Sequence, residues 1–314
     1  RQSLFMASEV GIHISGDNGA SWRMAEFSSA HRITFADEEE DIVLVCADEG
    51  LAVISRDGGQ TWERQRGEGG PFTGYIVADP THPGLVYGAA VSNIQYGGEY
   101  PGGLYVSQDY AKTWTKDPAS IGDCTKLDLI RLQDGSGDTL LLVTAESGTY
   151  IRVNDRPLKQ IHRFQYTQFA RSQADPLNIL ATQGPSLRWI SLLKTEDGDY
   201  VVDGDPKFFF PYVKGIGLFF RDINDVHMFD DDPNHILFAT NGGICESFDH
   251  GETFELDESI ANVKRLLYTS PLQGKRGKYA VKTSISSGEL IVVTDQGAYR
   301  RQQDPSGVGI WRNY

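Results

Sequence analysis

Carboxylates, aromatic rings and arginines are the side chains of this chain whose types and spacing could do chemistry. Acids recur in short turns ahead of a glycine: Glu9, Asp48 or Glu49, Glu146 and Asp295, with Asn241 in the corresponding place of one further turn. Two such carboxyl groups gathered at one mouth would supply a general acid and a nucleophile for glycoside hydrolysis, or ligands for a cation. The same residues also suit a tight turn, where Asp and Asn side chains bond the local backbone. Glu99 departs from the turn pattern. If the protein is an enzyme, Glu99, Glu146 and Glu9 are therefore the candidate catalytic acids, acting without a metal. Tyr96, Tyr100, Trp189, Phe208, Phe209, Phe210 and Tyr212 offer a stacking surface for a ligand, and Arg188 and Arg221 complete the ligand-binding set. Arg32, Lys126, Arg163 and Arg265 recur upstream of apolar strands, where they either pair with the turn acids or clamp an anion, since a guanidinium meets a carboxylate in two parallel bonds.

Other chemistries find little support. The seven histidines (His13, His31, His82, His162, His227, His235 and His250) show no HxH or HExxH spacing, and no Gly-x-Ser-x-Gly elbow is present. Cys46, Cys124 and Cys245 form no CxxC or His-Cys cluster, and Cys46 and Cys245, in predicted strands, read as small buried hydrophobes. No metal and no cofactor is expected.

The elements that must position these residues are announced by one repeated pattern, Ser-x-Asp-x-Gly-x-Ser/Thr-Trp. It occurs as Ser15-Gly-Asp17-Asn-Gly19-Ala-Ser21-Trp22, Ser55-Arg-Asp57-Gly-Gly59-Gln-Thr61-Trp62, Ser107-Gln-Asp109-Tyr-Ala111-Lys-Thr113-Trp114 and Ser247-Phe-Asp249-His-Gly251-Glu-Thr253-Phe254. This Asp-box is a hairpin turn: the carboxylate accepts backbone N–H bonds, glycine supplies a conformation that a Cβ resists, and the aromatic caps an apolar layer. Asp17, Asp57, Asp109 and Asp249 are thus structural. Ahead of several boxes stand an apolar strand, an acid-x-Gly turn and a second strand, and ahead of those an Asp-Pro turn (Ala78-Asp79-Pro80, Ala174-Asp175-Pro176, Asp231-Asp232-Pro233) that stops the preceding strand.

Each unit reads as strand A, Asp-Pro-type turn, strand B, acid-x-Gly turn, strand C, Asp-box, strand D. The B strands begin near residues 4, 43, 86, 140, 179, 236 and 290. Units of about 45 residues repeated around one core are propeller blades. The expectation is an all-β, seven-bladed β-propeller forming one domain over 1–314, with the first blade lacking its innermost strand at the N-terminus. Asp-boxes and A–B turns share one face of such a ring, while B–C turns and D–A connections share the other. Two insertions on that second face, 91–103 and 205–222, exceed the dozen residues common for loops. They are expected to wall one pocket, and residues 207–213 to be dispensable for folding. A basic cluster, Gln273-Gly-Lys275-Arg276-Gly-Lys278-Tyr279-Ala-Val-Lys282, falls on the Asp-box face.

The net charge of −14, from 29 basic and 43 acidic residues, argues against a nucleic-acid partner, which needs a positive stripe. No run approaches the ~18 apolar residues of a membrane span.

The Asp-boxes, Asp-Pro turns and turn-Gly-strand units resemble those of the broad Asp-box (BNR repeat) propeller superfamily over nearly the whole chain. That grouping holds sialidases, xyloglucan-active hydrolases, sortilin-type receptors and photosystem II assembly factors. The resemblance implies the propeller fold and, among compartments, a secreted, periplasmic or lumenal one. The Arg-Ile-Pro of sialidases is absent, the two-propeller cleft of the xyloglucan enzymes does not fit one propeller, and no complete catalytic set is present. The expected function is therefore a non-catalytic module that binds a protein or glycan on the face opposite the Asp-boxes; the alternative is a glycan-active hydrolase using paired carboxylates there.

Overall fold

The computed structural model describes residues 4–8, 11–17, 21–25, 30–37, 41–47, 52–65, 73–92, 101–119, 121–206, 208–229, 232–269, 289–294, 297–303 and 309–313. Every regular element among them is a strand. The first sheet contains β1 (Leu4–Ser8), β2 (Gly11–Ser15) and β3 (Arg23–Ala25). Six antiparallel blades follow. They comprise β4 (Ala30–Phe35), β5 (Val43–Ala47), β6 (Ala52–Ser55) and β7 (Glu63–Gln65), then β8 (Thr73–Ala78), β9 (Val86–Ala90), β10 (Gly103–Ser107) and β11 (Thr115–Lys116). Next come β12 (Cys124–Arg131), β13 (Thr139–Ala145), β14 (Gly148–Val153) and β15 (Lys159–His162), and then β16 (Gln168–Ala170), β17 (Asn178–Gln183), β18 (Ser186–Lys194) and β19 (Tyr200–Val202). After three short strands, β20 (Phe208–Phe209), β21 (Tyr212–Val213) and β22 (Gly217–Leu218), the last two blades are β23 (Ile223–Met228), β24 (Ile236–Thr240), β25 (Gly243–Ser247) and β26 (Glu255–Asp257), and β27 (Val263–Thr269), β28 (Glu289–Thr294), β29 (Gly297–Gln303) and β30 (Gly309–Asn313). The C-terminal strand pairs with β29 in its own blade. The chain is thus all-β and of propeller type, and it divides into two compact units, one ending at Gln165 and one beginning at Tyr166.

The second strands begin at Leu4, Val43, Val86, Thr139, Asn178, Ile236 and Glu289, within a residue of their expected starts. They were legible because both of their faces are covered. Val43–Ala47, Val86–Ala90 and Ile236–Thr240 are buried at every residue, and a strand buried on both sides reads as an unbroken apolar run. Between consecutive sheets lie separate apolar layers. In the first unit Phe5, Ile12 and Ile14 pack with Val43 and Val45; Leu44, Ile54, Ile76, Val86 and Trp114 form a second layer; Tyr87, Leu104, Leu127, Leu129 and Leu141 form a third. In the second unit the layers centre on Phe238 with Phe254, and on Leu237 with Val263 and Val292.

Hydrogen bonds tie each end of a blade together. At the Asp-box end, the residue after the box aspartate donates its N–H to the A–B turn of the same blade: Gly58 to Asp41 (3.0 Å), Tyr110 to Gly84 (3.0 Å) and His250 to Asn234 (3.0 Å). At the opposite end, B–C turns meet D–A connections, with Glu146 N–H donating to Asp123 (2.7 Å), Ile223 to Gly184 (3.2 Å) and Asn262 to Asn241 (3.0 Å). The two-face division expected from the repeat therefore holds at each of these described turns.

One feature of the inner strands had no counterpart in the sequence reading. In five of the six blades the first strand carries a β-bulge at the same register, where an extra residue (His31, Gly74, Thr125, Asn224 or Lys264) interrupts the pairing. The residues that follow are Arg32, Tyr75, Lys126, Asp225 and Arg265. A bulge kinks the strand and re-aims the next side chain.

Candidate functional site

The Asp-boxes repeat one hydrogen-bond pattern. The leading serine donates its hydroxyl to the aspartate at 2.8 Å in all four, and the same carboxylate accepts the N–H and hydroxyl of Ser21, Thr61, Thr113 or Thr253 four residues later. Burial alone would push the Asp57 carboxyl up, but bonds from the Thr61 hydroxyl and N–H, Ser55 and Gln60 together hold it down at about 2. These carboxylates are saturated by their own turns.

At the other end of the first unit, Asp123 clasps the two feet of the 91–103 insertion. Its carboxylate accepts the Ser92 N–H (3.0 Å) and hydroxyl (2.6 Å), and the Ser92 oxygen in turn accepts the Gly102 N–H (3.0 Å). Glu146 stands beside this clasp, exposed, with its carbonyl accepting from Gln165 Nε2 at 2.6 Å. Nearby, the residues after three consecutive inner-strand bulges form a stack: the Arg32 guanidinium lies 3.9 Å over the Tyr75 ring and Lys126 Nζ 5.4 Å from it. Arg163 lies over the Phe164 ring at 5.2 Å. Glu9, Asp48, Glu49, Tyr96, Glu99, Tyr100, Asp295 and the basic cluster over 273–282 lie outside the described residues.

The 205–222 excursion belongs to the second unit. Strand β18 is long, so its outer edge is shared. Its C-terminal half pairs with β19 and its first residues with β20, through Leu187 opposite Phe209 and Arg188 opposite Phe208. The chain then crosses to the Asp-box of the neighbouring blade. There Phe254 N–H donates to Tyr212 (2.8 Å), Lys214 N–H donates to Phe254 (2.8 Å), and Lys214 Nζ pairs with Glu255 (2.9 Å). It returns to the B–C end at Ile223. The excursion is thus a wedge between two blades, and it is not expendable: Val213 and Phe219 are buried in their shared core, with Phe209 packed against it. Deleting 207–213 would open that core, contrary to the expectation of a removable loop.

The sequence-derived ligand set divides between interior and surface. Arg188 turns inward, donating from Nη1 to the Pro206 carbonyl (2.9 Å) beneath the Phe208 ring, and it bonds the buried Tyr166, whose hydroxyl burial pushes up to about 12. Trp189 lies flat on His250 at 4.1 Å, an inter-blade contact. Phe208 and Phe220 remain 57% and 61% exposed, and Phe210 joins them edge-on at 5.9 Å and tilted at 4.7 Å. Tyr212, 50% exposed, faces Leu218 across the small hairpin. Arg221 is exposed beside Phe220. Phe220 is outside the sequence-derived ligand set; the signal in the sequence for its proximity to Phe210 is that both lie in one aromatic-rich insertion. Among the described residues no group of three or more His, Cys, Asp or Glu could hold a metal ion, and no helix is long and apolar enough to cross a membrane.

With this geometry in view, a family model described as BNR/Asp-box repeat matches residues 53–64, strand β6 with its Asp-box turn. No curated protein sequence matches the chain. Among solved structures the chain is similar to YCF48 from Cyanidioschyzon merolae, with 15% identity and a TM-score of 0.58 over 92% of this chain and 87% of that one. It is similar also to a YCF48 bound to D1 peptide, with 14% identity and a TM-score of 0.60 over 95% and 88%. A GH74 enzyme from Niastella koreensis gives 12% identity and a TM-score of 0.67, over 98% of this chain but only 52% of the enzyme. The chain spans about half of that enzyme's length. At such identities the likeness is one of fold. The chain is an all-β propeller that carries the BNR/Asp-box repeat.

Proposed function

We propose that this chain is a non-catalytic binding propeller whose partner is a protein, engaged at the end of the second unit opposite its Asp-box. One observation supports this reading above the others. Of the ten large apolar side chains that stand exposed among the described residues, Phe208 and Phe220 gather around Phe210 in one cluster of the second unit, whereas Tyr212, Leu218 and Phe248 lie toward its Asp-box. Scattered apolar residues are normal on a surface, whereas a concentration of them marks an interaction site. The three-phenylalanine stack is the part that lies at the B–C end, and rigid aromatic anchors on a framework of buried residues are what protein interfaces use. A YCF48 of similar fold is bound to a peptide.

The other reading is a glycan-active hydrolase, for which Glu146 would supply one of two paired carboxylates. Panning a phage-displayed random peptide library and probing a glycan array with the same protein separates the two. Peptides enriched by the wild type and lost with Phe208→Ser/Phe220→Ser support binding. Oligosaccharide cleavage that disappears with Glu146→Gln would replace it with the hydrolase. We also read the β1–β3 sheet as a seventh blade short of its innermost strand, so that 1–314 makes one propeller domain; an experimental density map with six or eight blades would overturn this.

A further inference from the structure

We propose that Arg221 reads a carboxylate on the partner, so that the segment bound is an extended peptide presenting an aromatic or leucine side chain next to an acidic one. This rests on the binding reading above. Arg221 follows Phe220 at the rim of the phenylalanine stack, and its guanidinium stands 5.7 Å from the Phe219 ring. It lies across the β24–β25 turn so closely that a Cβ placed on Gly242 would collide with Nη1 and sit 2.8 Å from Cζ. The absence of a side chain at Gly242 is what leaves room for the guanidinium there.

The other cations of this region are committed. Lys214 pairs with Glu255 at 2.9 Å, Arg301 with Glu246 at 2.8 Å, and Arg188 bonds Pro206 and Tyr166 in the interior. Among the described residues Arg221 makes no ion pair, although it is exposed, and its guanidinium rests against the β24–β25 turn. The planar fork of a guanidinium fits a carboxylate with two bonds. Next in the chain to the exposed Phe220, and packed over the buried Phe219, Arg221 favours a ligand that pairs an apolar anchor with an anion. Charge complementarity thus defines the partner's chemistry at this spot.

The test uses the whole chain and a phage-displayed library of random nine-residue peptides, followed by titration of synthetic versions of the enriched sequences. The expected result is enrichment of peptides with Phe, Trp or Leu adjacent to Asp or Glu. Replacing the acid by its amide should weaken binding to the wild type about tenfold, and this preference should vanish in Arg221→Gln. Gly242→Ala should erase the preference as well, because its methyl evicts the guanidinium without touching the phenyl rings. Arg221→Lys should retain part of it. Unchanged melting temperatures establish that the variants fold. If the wild type enriches apolar peptides that depend on Phe208 and Phe220 but tolerate acid-to-amide exchange, the role of Arg221 is wrong while the binding reading stands. If no enriched peptide depends on Phe208 and Phe220, both are overturned.

Discussion

The Asp-box turns of the β4–β7 and β8–β11 blades make the same bonds from different backbones. In both, the serine hydroxyl accepts the N–H four residues on, from Gly59 at 2.8 Å and from Ala111 at 2.9 Å, while the aspartate holds Thr61 or Thr113. Both turns require two successive left-handed residues. The first uses Gly58 and Gly59 (φ 63° and 84°), the second Tyr110 and Ala111 (φ 59° and 68°). A left-handed L-residue costs roughly 1–2 kcal/mol, yet the second turn tolerates two. Its side chains find compensation, since Ala111 is fully buried in the blade core and the Arg56 guanidinium covers the Tyr110 ring at 4.8 Å. The hydrogen-bonded frame is therefore what defines the motif, and glycine is only one way to satisfy it.

Gly59→Ala should break the equivalence most severely. Its Cβ would collide with the Phe5 ring and approach Ile14 Cδ1 to 3.2 Å, so overpacking adds to the dihedral cost. A loss of about 3 kcal/mol is expected in urea unfolding; a loss below 1 would mean that the β1–β2 strands yield. Next comes Asp57→Ala, which removes acceptors for Ser55, Gln60 and Thr61; because the Gln60 and Thr61 donors are exposed and can turn to water, the cost should stay at about 1.5 kcal/mol, with peptide binding intact. Weakened binding at unchanged melting temperature would make Asp57 functional. Gly251→Ala sharpens the comparison, because the same left-handed site there meets only Ile236 and Phe254 at 3.6 Å. About 1 kcal/mol is expected from the dihedral alone. Smallest is Ala111→Gly, where relief of ~1 kcal/mol is offset by the ~0.8 kcal/mol of a lost buried methyl; a change above 1 kcal/mol in either direction would show that one term dominates.

The boxes also set an acid limit. Because Asp57 titrates lower when folded than its ordinary value of 3.8, its contribution is fully present above that value and is lost as pH falls toward about 2. Asp109 and Asp249 shift in the same direction. Melting curves between pH 5 and pH 2.5 should fall less steeply for Asp57→Asn than for the wild type, and parallel curves would argue against this linkage.

Strand order was legible because it rests on local signals: apolar runs such as Val43–Ala47 and turn residues with fixed roles. The site was legible only as a region. Phe208, Phe209 and Phe219 are alike in sequence, but one is exposed, one half-buried and one in the core, because the excursion pairs with β18 and then wedges between blades. Trp189 was named for its size; its partner His250 belongs to the next blade, and such long-range contacts leave no local mark. The bulges escaped notice because His31, Gly74, Thr125, Asn224 and Lys264 share no residue type.

Those bulges give the repeat a degree of freedom. Elsewhere in an inner strand the alternation of the pleat dictates which residues must be apolar, and a substitution is judged by the core it enters. The residue after the bulge need not be apolar, as a guanidinium, a phenol, an ammonium and a carboxylate at one register demonstrate in Arg32, Tyr75, Lys126 and Asp225. One register of the innermost strands thus carries side chains of opposite charge from blade to blade while the strand pairing around it stays the same.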